Sequence, residues 1–275
     1  ALIISTSSAL FMQFGKREVD GLLQAVRDFS PQVLLLKENR GGSRLFNLRD
    51  GGVSNIPAML DITVNSVGVG DVYSSVMIGL SSRGWVEAAW GGSQGATLYS
   101  QSTFPDDIKQ DMQRWLSVPF EVIQTLQGTS LPWHVRQDYS IYLAGPDFSY
   151  LDKDELEGAV DSLIYHNFKI RRPIAEHGEL KRPAAKGDLQ NTYHRDYKLL
   201  EECDLVFAIP LERDPGTLVE IGMAIAMGKP VITYDPRHEN NNTMVIIGSS
   251  VYSSDLDVCL NGIFVALAKL GACAQ

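Results

Sequence analysis

The run Asp204-Leu205-Val206-Phe207-Ala208-Ile209, followed by Asp214-Pro215-Gly216-Thr217-Leu218-Val219-Glu220-Ile221-Gly222, decides how the second half of the chain is read. A short, continuous apolar run bounded by Asp and Pro reads as a strand buried on both faces. The segment from Asp214 joins it to a helical pattern over Leu218 to Met227. Upstream, Ser140 to Leu143 reads as a strand ending in Ala144-Gly145-Pro146, Leu151 to Tyr165 as a helix, Lys169 to Pro173 as a strand and Thr192 to Glu202 as a helix; downstream, Pro230 to Tyr234 is a further strand. Strand and helix alternating in this way predict an α/β fold with a doubly wound, Rossmann- or flavodoxin-like parallel sheet. Ligands lie at the carboxyl ends of such strands, so the loops after Leu143, Pro173, Ile209 and Tyr234 are expected to line one pocket.

The first half has mixed α/β character of another kind. Strand-like runs at Leu2 to Ser5, Val33 to Leu36 and Leu45 to Asn47 are separated by a helical pattern over Val19 to Phe29. A glycine-bearing turn, Val67 to Gly70, feeds an apolar segment through Leu80, and helical patterns follow at Trp85 to Ser100 and Asp106 to Leu116. Between Val118 and Gln137 the pattern is interrupted by Gly128, Ser130 and Pro132. Two domains are therefore expected, over residues 1–120 and 138–275, as the length of 275 residues suggests.

A formal charge of −9 argues against a broad nucleic-acid-binding face, which needs clustered Lys and Arg, and favours a small-molecule ligand. Lys181, Arg182 and Lys186 form a local basic cluster that reads as a solvated loop. Cys203, Cys259 and Cys273 lack paired spacing, and His134, His166, His177, His194 and His238 lack metal-ligand spacing. No metal or cofactor is expected, and no histidine is assigned chemistry. No apolar run reaches the roughly eighteen residues of a membrane span, and no leader pattern opens the chain, so a cytoplasmic protein is expected.

Glu220 reads as lying in the first helical turn, where backbone N–H groups and the macrodipole favour an ionised carboxylate. Such a carboxylate could attack a sugar carbon and later leave it; equally, it is an ordinary acidic residue at a helix start. Further elements surround it. Tyr142-Leu143-Ala144-Gly145-Pro146-Asp147-Phe148, His194-Arg195-Asp196, Cys203-Asp204-Leu205-Val206, Gly216 to Gly222, Gly228-Lys229-Pro230-Val231 and Asn242-Thr243-Met244 together resemble the nucleoside 2-deoxyribosyltransferase family in order and spacing.

That resemblance implies an enzyme that cleaves the N-glycosidic bond of a nucleoside through a covalent glycosyl-Glu intermediate and passes the sugar to another nucleobase. Glu220 is then the nucleophile, oriented by Tyr142, while Asp214 meets the base and assists its protonation. Asp196 would hold the sugar hydroxyls and Phe148 would pack on the base. Asn242 and Met244 would reach the site of a neighbouring subunit, Asn242 at the sugar 5′-hydroxyl, which makes the partner a second copy of this chain. Gly145 would leave space for substrate. Independently of the family, an acid beside the base makes it a better leaving group, and neighbouring carboxylates could split their pKa values so that Asp214 holds a proton while Glu220 stays ionised. Read alone, Tyr142 is also a strand-packing residue, Asp196 a solvated helix residue, Phe148 a core residue and Asn242 a turn residue. An N-glycosidase on the same fold and a non-catalytic nucleotide-binding module are the competing readings.

In the first half, Asn65-Ser66-Val67-Gly68-Val69-Gly70-Asp71 resembles the second signature of ribokinase-like sugar kinases. The resemblance implies an anion hole at the turn of Gly68 and Gly70, with Asp71 as general base. Two departures weigh against kinase activity. The sugar-binding portion that precedes this region in that family has no counterpart, and Lys37-Glu38-Asn39 stands where the family has Thr-x-Gly, with glycines displaced to Gly41 and Gly42. A structural or nucleotide-sensing remnant of a kinase site is the expectation.

Overall fold

The structure, a computed structural model, describes residues 1–16, 18–180 and 183–273. The chain divides into two units, Ala1–His134 and Val135–Gln275. Lys181 and Arg182 of the basic cluster lie outside the described residues, and Lys186 opens a helix.

In the first unit, β1 (Leu2–Ser5), α1 (Ala9–Phe14), α2 (Val19–Ala25), β2 (Val33–Lys37), β3 (Ser43–Asn47) and β4 (Val53–Ile56) precede α3 (Val69–Gly79), α4 (Trp85–Gln101), α5 (Pro105–Leu116) and α6 (Phe120–Ile123). The sheet runs β1-β2-β3-β4, with β1 parallel to β2 and the other pairs antiparallel. Side chains alternate across a strand, so Val33 and Leu35 of β2 pack with Tyr73, Met77 and Trp90 of α3 and α4, while Leu34 and Leu36 pack with Phe11 and Leu22 of α1 and α2. Both faces are covered.

Two elements of this unit escape the apolar pattern. The hairpin to β4 turns through Asp50 and Gly51, whose φ is 79°, with Asp50 accepting from the Gly52 N–H at 2.8 Å. Only Ile56 of β4 is buried, so alternation is faint there. Helix α1 buries only Phe11 and is too short to show a helical repeat; Ser8 caps it by accepting from the Phe11 N–H.

The second unit comprises β5 (Ser140–Ala144), α7 (Asp154–Tyr165), β6 (Lys169–Arg171), α8 (Pro173–His177), α9 (Lys186–Glu202), β7 (Leu205–Ala208), α10 (Pro215–Ala226), β8 (Val231–Tyr234), α11 (Thr243–Gly248), β9 (Val251–Ser253) and α12 (Leu256–Cys273). The sheet order is β6-β5-β7-β8-β9 and every pair is parallel. This is the doubly wound, flavodoxin-like order, in which the direction of winding reverses between the first and third strands, here β5 and β7. Tyr142, Ala144, Val206 and Val231 face Leu199 and Leu200 of α9, Ile221 and Ala224 of α10 and Val245 of α11. Helix α12 packs along β7, β8 and β9, and α7 packs on β6. All four residues of β7 are buried, and each large apolar side chain among them contributes about 1.5–3 kcal/mol on leaving water.

Several expected boundaries move. Pro173 does not end a strand but opens α8, as its fixed φ and missing N–H suit a first helical position. Helix α10 begins at Pro215 rather than Leu218, capped by Asp214. Glu220 therefore lies in the second turn, not the first. Helix α12 is long and apolar enough, by length and composition alone, to cross a membrane, although Asp257, Asn261 and Lys269 interrupt its apolar run; in this fold Cys259, Leu260, Ile263, Phe264 and Leu267 are buried as core.

Candidate active site

Glu220 and Tyr142 meet at the reversal point of the second unit. The Tyr142 hydroxyl donates to Glu220 Oε1 at 2.6 Å, a charge-assisted length. Tyr142 is fully buried at the middle of β5, opposite Val206 of β7, so the sheet fixes the donor. Pro215 at the first helical position and Asp214 as cap aim α10, which packs Ile221 and Ala224 on the sheet and presents Glu220 beside Tyr142. Glu220 is half-buried.

Burial pushes the Glu220 carboxyl up to about 7; the Tyr142 hydrogen bond opposes that rise, and the charges of Asp196 and Asp214 add to it. The expectation of a carboxylate held ionised by a helix N-terminus is overturned, because burial and two neighbouring acids act on a residue beyond the first turn. Burial, then the adjacent Glu220 charge, pushes the Tyr142 phenol upward, so Tyr142 stays a donor.

The other anticipated residues divide. Asp214 Oδ2 accepts from the Thr217 N–H at 2.7 Å and the Thr217 hydroxyl at 2.8 Å, so one oxygen is committed to capping. Asp196 comes from the middle of α9, not from a loop, and its Oδ1 lies 2.8 Å from His177 Nδ1. Asp214 lies in the loop after β7, whereas Tyr142 lies within β5 and Asp196 within α9. Phe148 is half-buried and stacks on Tyr150, with centroids 5.4 Å apart. Asn242 is exposed and caps α11, accepting from the Met244 N–H at 2.9 Å; Met244 is 79% exposed. Among the described residues no hydrogen bond joins Phe148, Asn242 or Met244 to Glu220 or Tyr142. A Cβ on Gly145 would meet Leu156 Cδ1 at 3.0 Å and the Ile209 carbonyl oxygen at 3.3 Å. Packing against the chain's own atoms therefore constrains Gly145.

Two features went unseen in the sequence. His177, the last residue of α8, pairs with Asp196 although no histidine was assigned a role. Asp147 is buried between Arg172, at 2.8 Å, and Lys153. Burial alone would raise the Asp147 carboxyl, and these cations outweigh it and hold the carboxyl below the usual range. Among the described residues no group of three or more His, Cys, Asp or Glu side chains could hold a metal ion.

In the first unit, Gly68 (φ 82°) precedes α3 and Asp71 is exposed in its first turn. Lys37 Nζ donates to the Gly70 carbonyl at 2.8 Å and to Ser74 Oγ at 3.1 Å. The Lys-Glu-Asn departure thus sets an ammonium group against the glycine turn; burial lowers its pKa and the Asp71 charge opposes this.

The second unit thus combines a flavodoxin-like sheet with a carboxylate–tyrosine pair between α10 and β5. Residues 141–260 match the model of the nucleoside 2-deoxyribosyltransferase family. No curated protein matches the chain. Among solved structures, the chain is similar to the 2-deoxyribosyltransferase of Bacillus psychrosaccharolyticus at 22% identity, over 43% of this chain and 88% of the other, with a TM-score of 0.37. It is similar to the CMP N-glycosidase of Clostridium botulinum at 21% identity, over 46% and 98%, with a TM-score of 0.30. It is similar to the ribokinase of Giardia lamblia at 15% identity, over 42% of this chain and 44% of the kinase, with a TM-score of 0.33. The chain therefore spans less than half of that kinase.

Proposed function

We propose that the second unit cleaves the N-glycosidic bond of a nucleoside, with Glu220 as nucleophile, and transfers the sugar to a second nucleobase. The observation that carries this is the 2.6 Å hydrogen bond from Tyr142 to a partly exposed, half-ionisable Glu220. Glu220 Oε bonds to the anomeric carbon as the bond from that carbon to the base nitrogen breaks. The electron pair leaves with the base, which takes a proton from Asp214. The nitrogen of an incoming base then attacks the glycosyl ester, restoring the carboxylate and returning its proton to Asp214.

The physics favours this chemistry at this place. Asp196 and Asp214 disfavour the resting Glu220 anion, yet the same negative charge stabilises the positive charge that grows on the sugar ring in an oxocarbenium-like transition state. Stabilisation that strengthens only as charge develops accelerates the reaction instead of merely tightening binding. Tyr142 holds Oε1 and leaves the other carboxylate oxygen to attack. Asp196, paired with His177, is assigned to the sugar hydroxyls, and Phe148 to the face of the base. Exposed Asn242 and Met244 are assigned to the site of a second copy of this chain.

Incubation with a 2-fluoro-2-deoxyribosyl nucleoside tests the nucleophile: the reading expects a mass increase of one fluorodeoxyribosyl group on the peptide containing Glu220. Chromatography with and without an added free base distinguishes transfer from hydrolysis. A new nucleoside supports transfer, and free sugar alone assigns the unit as an N-glycosidase. Cleavage of a nucleoside panel with full activity retained in Glu220→Ala would refute the assignment.

A further inference from the structure

The loop between β7 and α10 passes through two successive non-glycine residues in left-handed backbone, Glu212 at φ 56° and Arg213 at φ 52°. Side chains rarely adopt this conformation, and it persists where surrounding groups hold it. One residue supplies two of the holds. Glu239 Oε2 accepts from the Glu212 N–H at 2.6 Å, and the Glu239 main-chain carbonyl accepts from Arg213 Nε at 2.7 Å.

Glu239 is itself anchored. Buried Asp235, at the end of β8, accepts from the Glu239 N–H and the Asn240 N–H, each at 3.0 Å, and from the Tyr252 hydroxyl of β9. Arg237 of the same segment pairs with Glu155 and reaches the Glu212 carboxylate at 3.4 Å. The residue directly after the two left-handed positions is Asp214, whose Oδ2 is spent on the helix cap. The direction of its remaining oxygen therefore follows the backbone that Glu239 fixes.

We infer that Glu239 is a positioning residue for proton delivery: by clasping Glu212 and Arg213, it aims Asp214 Oδ1 at the departing base. The inference rests on the proposed function and deepens it. It also couples two loops, since the segment from Asp235 that supplies the clasp runs on to Asn242, the cap of α11. Glu239 touches no reacting atom in this scheme; it acts through Asp214.

The consequence depends on the leaving group. An ordinary purine deoxynucleoside needs a proton on its base as the bond to N9 breaks. An N7-methylated purine deoxynucleoside already carries the positive charge, so its base departs neutral without an acid. Glu239→Ala is expected to lower kcat on the ordinary substrate about tenfold or more, within the range of general-acid effects, and to change turnover of the N7-methylated substrate by less than about threefold. Glu239→Gln keeps a carbonyl oxygen for the Glu212 N–H and is expected to restore most of the loss. Equal losses on both substrates, or no loss on either, would overturn the inference. Hydrogen exchange at the Glu212 amide reads the clasp directly: slow in the parent and fast in Glu239→Ala is expected, and an unprotected amide in the parent refutes the clasp. A parent that protects this amide but cleaves neither substrate refutes the proposed function instead.

Discussion

Replacing Glu220 by Gln is expected to abolish turnover and to stabilise the second unit, by an amount that depends on pH in a fixed direction. Burial, with the Asp196 and Asp214 charges adding to it, raises the Glu220 carboxyl from 4.5 to about 7. A pKa raised in the folded state means that the fold binds a proton more tightly than the unfolded chain, so unfolding stability falls as pH rises from about 4.5 to about 7 and levels above that. At about 1.4 kcal/mol per pKa unit, the cost of ionising Glu220 at pH 8 is about 3 kcal/mol. Glutamine has the size of the protonated carboxyl, carries no charge, and keeps an acceptor for the Tyr142 hydroxyl. Glu220→Gln should therefore gain about 3 kcal/mol at pH 8 and almost nothing at pH 4. The probe matters, because all four tryptophans, Trp85, Trp90, Trp115 and Trp133, lie in the first unit. Hydrogen exchange at the buried amides of Leu205–Ala208 reports the second unit instead. A variant no more stable than the parent at pH 8, or one stabilised equally at both pH values, would refute the reasoning.

Tyr142→Phe removes the hydrogen bond that opposes the raised Glu220 pKa, so the acid limb of the pH dependence of kcat/KM, expected at about 7 in the parent, should move upward. Asp214→Asn retains a good helix cap while losing the proton; stability by denaturation should stay near the parent while kcat on an ordinary nucleoside falls about a hundredfold or more. Asp214→Ala should show the same catalytic loss plus about 1 kcal/mol of lost stability. Gly145→Ala forces a methyl to within 3.0 Å of Leu156 and 3.3 Å of the Ile209 carbonyl, so denaturation should show a loss of about 1–3 kcal/mol; a raised KM without that loss would restore the substrate-space reading.

Much of the second unit was legible because its chemistry is local and repetitive. Leu205 to Ala208 is an apolar run of strand length between polar and proline boundaries, and alternation with helical patterns implies parallel strands whatever their order. In the first unit α4 buries a long stripe, and α3 and α5 set apolar residues at helical spacing against the same core (Tyr73 and Met77; Met112, Trp115 and Leu116), so these could be read, whereas the four-residue β4 and six-residue α1 are too short to show a repeat. Glu220 drew notice from its place near a helix start, and Tyr142, Asp196 and Asp214 followed from the resemblance to the nucleoside 2-deoxyribosyltransferase family. Their electrostatics were not legible: the reading placed Glu220 in a first turn and left it ionised, because a sequence does not carry the desolvation that dominates its pKa.

What the chain alone determined is therefore the strongly periodic elements and the residue types able to carry chemistry, since periodicity and residue type are properties of neighbours along a backbone. Tertiary structure decided everything that depends on residues far apart in the chain. It set Tyr142 against Glu220, His177 against Asp196, and Glu239 against Glu212. Each of these pairs forms because parallel strands bring distant loops and helices to one sheet end, and no local pattern records a contact made across that distance.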